Sequence, residues 1–508
     1  MPPRRVDWDD ASWRAFHGAR ESWLLEFARA LTGAAHAARP GVTVEHQFAT
    51  IFGNWQRGQP LEIASACDYV GGDFYGGPTE HSLVCKTYDG LTRGRPIELM
   101  TSRTRRGNDH VTQKPFEELR TEAYVATLHS AALLLIDYIN VDGTLNDRVY
   151  ELLAKIARET APYEPFLGGD LLADVALYFD KESLYNPAET GVDVARLRAP
   201  DQCPHRDALV GAARMLQEAH LPYGVVTNAN LDRLARYRAV ILPSVLELTH
   251  QQAERFRGFV RGGGVLVATG PSSLDRKAGR FLLEDVFGAR YAGRLGTRLT
   301  YLTPRDREVA DAIWPQDHLA HAGPMLQAVA AEDAEVLATV TLPFAPPEQG
   351  TVIGSRFGAY WSNPPALKAG SDPAAVLHRF GAGRALWLAA PLETTNESVN
   401  RKLLARLLRR VLPGPYHFEL DGYAAIEMTL FDQPDQRRLR AGLLNLERQW
   451  PQVPVGATVR VRVPESRRAR AVKRLPAQSD VAFRAAPPYV EFRAEPFDGL
   501  ALFLVEYE

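Results

Sequence analysis

The chain is poor in cysteine, with Cys67, Cys85 and Cys203 the only three in 508 residues. Their spacing fits neither a disulfide framework nor a zinc motif, so a reducing, cytoplasmic setting is expected. Long apolar runs are also missing: no stretch of about 20 residues could span a bilayer, which argues against a membrane protein. The N-terminal "MPPRRVDWDDASW" carries two arginines without an apolar segment behind them, unlike a secretory signal. Charge of one sign is absent too. With 59 basic against 61 acidic side chains and a formal net charge of -2, nothing in the balance points to nucleic acid. The 13 histidines are scattered and none pairs at His-x-x-x-His spacing, so no metal and no cofactor is expected.

Two familiar motifs can be set aside. "RGGGVLV" is glycine-rich but precedes a strand instead of joining a strand to a helix, so it is not a dinucleotide-binding turn. "VILPSVLELT" has no cysteine where a glutamine amidotransferase would carry its nucleophile.

What is present is the composition of a soluble globular protein, 45% hydrophobic and 24% charged, on a chain long enough for about three domains. Residues 12–31 open with Ser12 as a candidate N-cap. They place Trp13, Phe16, Trp23, Leu24, Phe27 and Leu31 at helical spacing, a stripe that should pack on something. Strands are predicted at 42–48, 68–74, 97–101 and 132–139, with helices at 114–131 and 145–163 between and after them. That alternation predicts a parallel sheet covered by helices, and "ALLLID" is apolar enough to be buried on both faces. A second run of alternating strands and helices from residue 171 predicts a doubly wound, flavodoxin-like sheet. Beyond Pro413 the strands become short and are separated by turns, the pattern of a small antiparallel β-sandwich.

Three stretches carry a family resemblance: "WRAFHGARESWLLEFARAL" leading into "RPGVTVEHQF", then "CDYVGGDFYGG", then "RPIELMTSRT". In this order, and with "DVALYFDKESLY" and "HRFGAGRALWLAAPLE" further on, the chain resembles the β-galactosidases of glycoside hydrolase family 42. The resemblance implies an α/β fold of three parts. These are a partial (β/α)8 barrel holding strands five to eight in residues 1–170, a flavodoxin-like trimerisation-type domain in 171–414, and a C-terminal sandwich in 415–508. It also implies a carbohydrate or glycoside as partner and a homo-oligomer, a trimer by analogy. Strands one to four, with the family's general acid/base at the end of strand four, are expected to lie outside this sequence as a missing N-terminal half-barrel. At the position of the family's nucleophile stands Thr101. A hydroxyl without an assisting base is a poor nucleophile at neutral pH, so the isolated chain is expected to be incomplete or inactive as an O-glycosyl hydrolase.

Barrel sites lie at the carboxyl ends of the strands. This directs attention to Asp73 and Tyr75, framed by glycine pairs and able to grip and stack on a sugar or simply to form a turn. His46, Thr101, Arg103 and Asp137 join them as substrate-binding candidates. Glu98 and Asp73 are the weak candidates for catalysis. If Thr101 faced inward, side-chain alternation would turn Glu98 toward the helices, where an ion pair with an arginine would be its ordinary role. Arg105 reads equally as a contact to an acidic ligand or as a solvated loop residue, Asn140 and Asp142 as turn formers, and Trp55 as either a sugar platform or a loop anchor.

Overall fold

The computed structural model describes the chain except residues 1–2, 48–51, 53–54, 58, 75, 93, 106–108, 198–202, 324, 346–363, 448 and 450. The first element is a helix, α1 (Ala11–Ala38), capped by Asp10, whose side chain accepts from the Ser12 amide; Ser12 is thus inside the helix and not its cap. Trp13 of the predicted stripe is buried, but Trp23, Phe27 and Leu31 are 60%, 62% and 45% exposed, so much of the stripe lacks a cover.

Residues 42–47, predicted as a strand, are not paired into a sheet. They run beside the entry to the next strand, where the Asp68 amide donates to the Val44 carbonyl. The parallel sheet that follows has three strands, β1 (Val70–Asp73), β2 (Ile97–Ser102) and β3 (Ala132–Ile136), in that order. Helices α2 (Pro78–Thr92) and α3 (Phe116–Leu128) connect them, and α4 (Asp147–Thr160) follows. The apolar run of β3 is not enclosed: Leu134 is 37% exposed at the edge of the sheet. An apolar sequence shows what a strand could bury, and here only one side of it finds a neighbour.

β4 (Asp170–Leu171) pairs antiparallel with residues 431–432 and ties the linker to the C-terminal part. Then come β5 (Val175–Phe179), β6 (Tyr223–Thr227), β7 (Ala239–Pro243) and β8 (Val265–Thr269), with α5 (Pro204–Glu218) and α6 (His250–Arg261) between them. Strand Gly383–Leu388 is parallel to β8, giving the order β6-β5-β7-β8-383–388. Numbered from the first strand this is 2-1-3-4-5, the doubly wound order of a flavodoxin-like sheet. All residues of β5, β6, β7 and β8 are buried, which their Val-, Leu- and Ala-rich sequences explain. Among the described residues, four antiparallel strands, including Glu335–Thr341 and Pro373–Phe380, extend it to nine.

The C-terminal part forms two antiparallel sheets. A shared core of Phe418, Leu430, Leu443, Val459, Phe492 and Phe503 lies between them. A buried polar knot joins this part to the three-stranded unit: Lys86 of α2 reaches Glu427 at 2.6 Å, Ser82 also bonds Glu427, and His129 meets Ser82 at 2.9 Å.

Candidate functional site

The glycines of "CDYVGGDFYGG" answer first to packing. A Cβ on Gly71 would come within 2.9 Å of the Glu98 Cβ on the neighbouring strand, and one on Gly76 within 2.5 Å of the Phe74 ring. The Gly77 amide is taken by the Glu80 carboxylate at 3.1 Å, which starts α2 directly after the strand. Asp73 ends β1 as the register partner of Met100, at the carboxyl edge of the sheet. Tyr75 lies outside the described residues.

On β2 the alternation is opposite to the one considered from sequence. Thr101 is fully buried on the helix side, where its hydroxyl donates to Glu122 of α3 at 3.2 Å and receives Lys114 at 3.3 Å. Lys114 and Glu122 themselves pair at 2.8 Å. Thr101 is therefore a buried partner of an ion pair and not a residue open to substrate. Glu98 falls on the other face and makes no ion pair with an arginine among the described residues; partial burial raises its pKa above the ordinary glutamate value. It stands four positions before the last residue of the strand, about 13 Å from the end where barrel chemistry takes place.

Arg103 and Asp137, expected separately to contact substrate, contact each other. The Arg103 Nε donates to Asp137 Oδ1, with both side chains buried, and the rest of the guanidinium is held by Gln113 Oε1 at 3.2 Å and the His110 carbonyl at 3.1 Å. Asp137 Oδ2 has no partner among the described residues, so this pair leaves one free acceptor at the carboxyl end of β3. His46 is bound to Thr32 of α1 at 2.8 Å, and Thr32 in turn donates to the Ala66 carbonyl, which ties the ring to the helix. Trp55 is 6% exposed with its indole on Glu189 at 3.1 Å, an anchor and not a platform. Arg105 pairs with Glu118 in solvent, and Asp142 holds the Thr144 amide in a turn.

A second concave place was not foreseen. At the carboxyl ends of β5, β7 and β8, where the strand order reverses between β5 and β7, lies a cavity of about 580 Å³. Its wall includes Trp8, Arg14, His17, Glu182, Glu247 and Arg276. Arg14 forks onto Glu247 with two bonds of 3.2 Å, and Tyr185 adds its hydroxyl to the same carboxylate at 2.5 Å. Its parts come from positions far apart in the chain, so no local motif announces it.

Residues 173–412 match the family described as the β-galactosidase trimerisation domain. Among solved structures, α-L-fucosidase isoenzyme 2 from Paenibacillus thiaminolyticus is 19% identical with a TM-score of 0.74, covering 95% of this chain and 71% of that one. The β-galactosidase from Bacillus circulans sp. alkalophilus is 16% identical with a TM-score of 0.68, over 96% of this chain and 67% of its own. A β-galactosidase from Rahnella sp. R3 gives 16% identity and a TM-score of 0.65, over 97% and 67%. No curated protein sequence matches the chain. No helix among the described residues is long and apolar enough to cross a membrane.

Proposed function

We propose that the chain is a glycoside hydrolase-like protein whose ligand is a glycoside, since residues 173–412 match the β-galactosidase trimerisation domain and the fold resembles that of solved β-galactosidases. The observation that carries the reading is that one fold relation runs through 95% or more of the chain, beyond the trimerisation domain itself. On this reading the three-stranded sheet corresponds to the last strands of a (β/α)8 barrel, with residues 42–47 beside them in place of strand five. Domains then fall at 1–170, 171–414 and 415–508, and the chain assembles as a homo-oligomer, a trimer by its family.

Asp73 and Asp137, at the carboxyl ends of β1 and β3, are the proposed sugar contacts; the Asp137 oxygen that Arg103 leaves free is buried, so on this reading a side-chain movement at the strand end uncovers it. A carboxylate held this way accepts hydrogen bonds from sugar hydroxyls. Glycoside cleavage needs two carboxyl groups about 5 to 9.5 Å apart across the bond, one of them able to carry a proton. Thr101 supplies neither.

The burial of Thr101 and the Arg103–Asp137 pair favour a second reading, a carbohydrate-binding or scaffold protein of glycosidase descent without turnover. Nitrophenyl β-galactoside and α-L-fucoside, assayed beside calorimetric titration with galactose and fucose, separate the two. Release of nitrophenol lost in Asp73→Asn supports the enzyme. Saturable sugar binding without release, weakened in Asp137→Asn, supports the binding protein. Neither turnover nor binding across the sugars would overturn both.

A further inference from the structure

The seam between α1 and the flavodoxin-like sheet brings together three groups that sequence spacing gave no reason to connect. His17 and Glu21 stand one helical turn apart on α1, so they share a face. Glu182 enters from the turn after β5. One ligand atom from each lies within 4.8 Å of the others, a span that a single metal ion could bridge. We propose that His17, Glu21 and Glu182 form a binding site for one divalent transition-metal ion, Zn²⁺ or Mn²⁺, opening onto the cavity at the carboxyl ends of β5 and β7.

Three observations carry this. The donor set, one imidazole and two carboxylates, is the borderline nitrogen and oxygen chemistry that such ions take, whereas Mg²⁺ and Ca²⁺ prefer oxygen alone. His17 is 94% removed from solvent (6% exposed), its Nδ1 lies 3.9 Å from Glu21 Oε1, and its Nε2 has no hydrogen-bond partner within the geometric limits among the described residues. Finally, His17 and Glu182 both line the cavity, so waters or a ligand can complete the coordination from that side.

The site already attracts a cation. The Lys181 ammonium lies against Glu21 and is largely buried. An ammonium and a metal ion would compete for the same carboxylate, and the lysine, on a flexible stem, is the one that can swing away. Removing it should therefore tighten metal binding, which no adventitious surface site would do.

The experiment is calorimetric titration of the full chain, stripped with EDTA and dialysed, with Zn²⁺ alone and with Mn²⁺ alone. The expected result is one ion per chain for at least one metal. His17→Ala and Glu182→Gln should each weaken binding at least tenfold, and Lys181→Met should tighten it about tenfold. Glu182 is exposed, so Glu182→Gln tests the ligand set even if His17→Ala fails to fold. No saturable binding by wild type or by Lys181→Met, or binding unchanged by Glu182→Gln, overturns the proposal. Because the readout is metal binding and not turnover, it stands or falls separately from the glycoside reading.

Discussion

Two sets of parallel strands, one in each of two sheets, are built from similar sequence and buried to different degrees. β3, "ALLLI", is as apolar as β5, "VALYF", yet every residue of β5 is buried while β3 is exposed at Ala132 and Leu134. β5 has strands on both sides, β6 and β7, with helices packed over the sheet; β3 has a partner on one side only. The lesson is that apolar content sets how much a strand could gain by burial, while the number of neighbours sets how much it does gain.

That difference can be broken or sharpened by substitution. The largest effect should come from the knot that holds the three-stranded unit to the C-terminal sheets. Glu427→Ala leaves the buried Lys86 ammonium without its carboxylate and should cost about 3–5 kcal/mol in urea unfolding. Next, Leu177→Ala in the centre of β5 should cost about 2–5 kcal/mol, whereas Leu134→Ala in β3 should cost less than about 1 kcal/mol. Equal losses at the two leucines would mean that β3 is covered in solution.

A third effect depends on pH. Asp180, directly after β5, is fully buried, and burial raises its pKa from 3.8 to about 7 despite bonds from Ser183 and Tyr178. The folded chain keeps a proton there that the unfolded chain releases. This contribution to stability is therefore full below about pH 4 and is lost as the pH rises to about 7. His205, pushed down to about 4 by burial, acts with the opposite sign, so the informative quantity is wild type against Asp180→Asn. The variant should gain relative stability steadily from pH 4 to 7 in melting experiments; a constant difference would mean that Asp180 is ionised throughout.

The smallest effect on stability, but a clear one on association, is expected at α1. Trp23→Lys with Phe27→Lys removes exposed apolar surface and should leave the melting temperature nearly unchanged while reducing self-association in light scattering. A sharp loss of stability would show that this face is packed within the fold.

Much of the element order was legible. Alternating apolar strands and amphipathic helices were enough to anticipate β5 to β8 with α5 and α6, because each strand is a short Val- or Leu-rich run and each helix carries one apolar face. The candidate site was less legible. Thr101 after Met100 could point either way, since a shift of one residue exchanges the two faces of a strand. Arg103 and Asp137 lie on different strands, and nothing local shows that they meet. Trp23 and Phe27 read as a packing stripe because periodicity records a face and not what covers it.

Sequence alone determined most of the strands and helices, their alternation in the first two parts, and the short antiparallel strands after Pro413, because these follow from local periodicity and turn chemistry; residues 42–47 are the exception. Tertiary structure decided the inward or outward direction of Thr101 and Glu98, the pairing of Arg103 with Asp137, and the meeting of His17 with Glu182. Each of those depends on register or on contacts between distant segments, and the free energy that selects them exists only once the elements have packed.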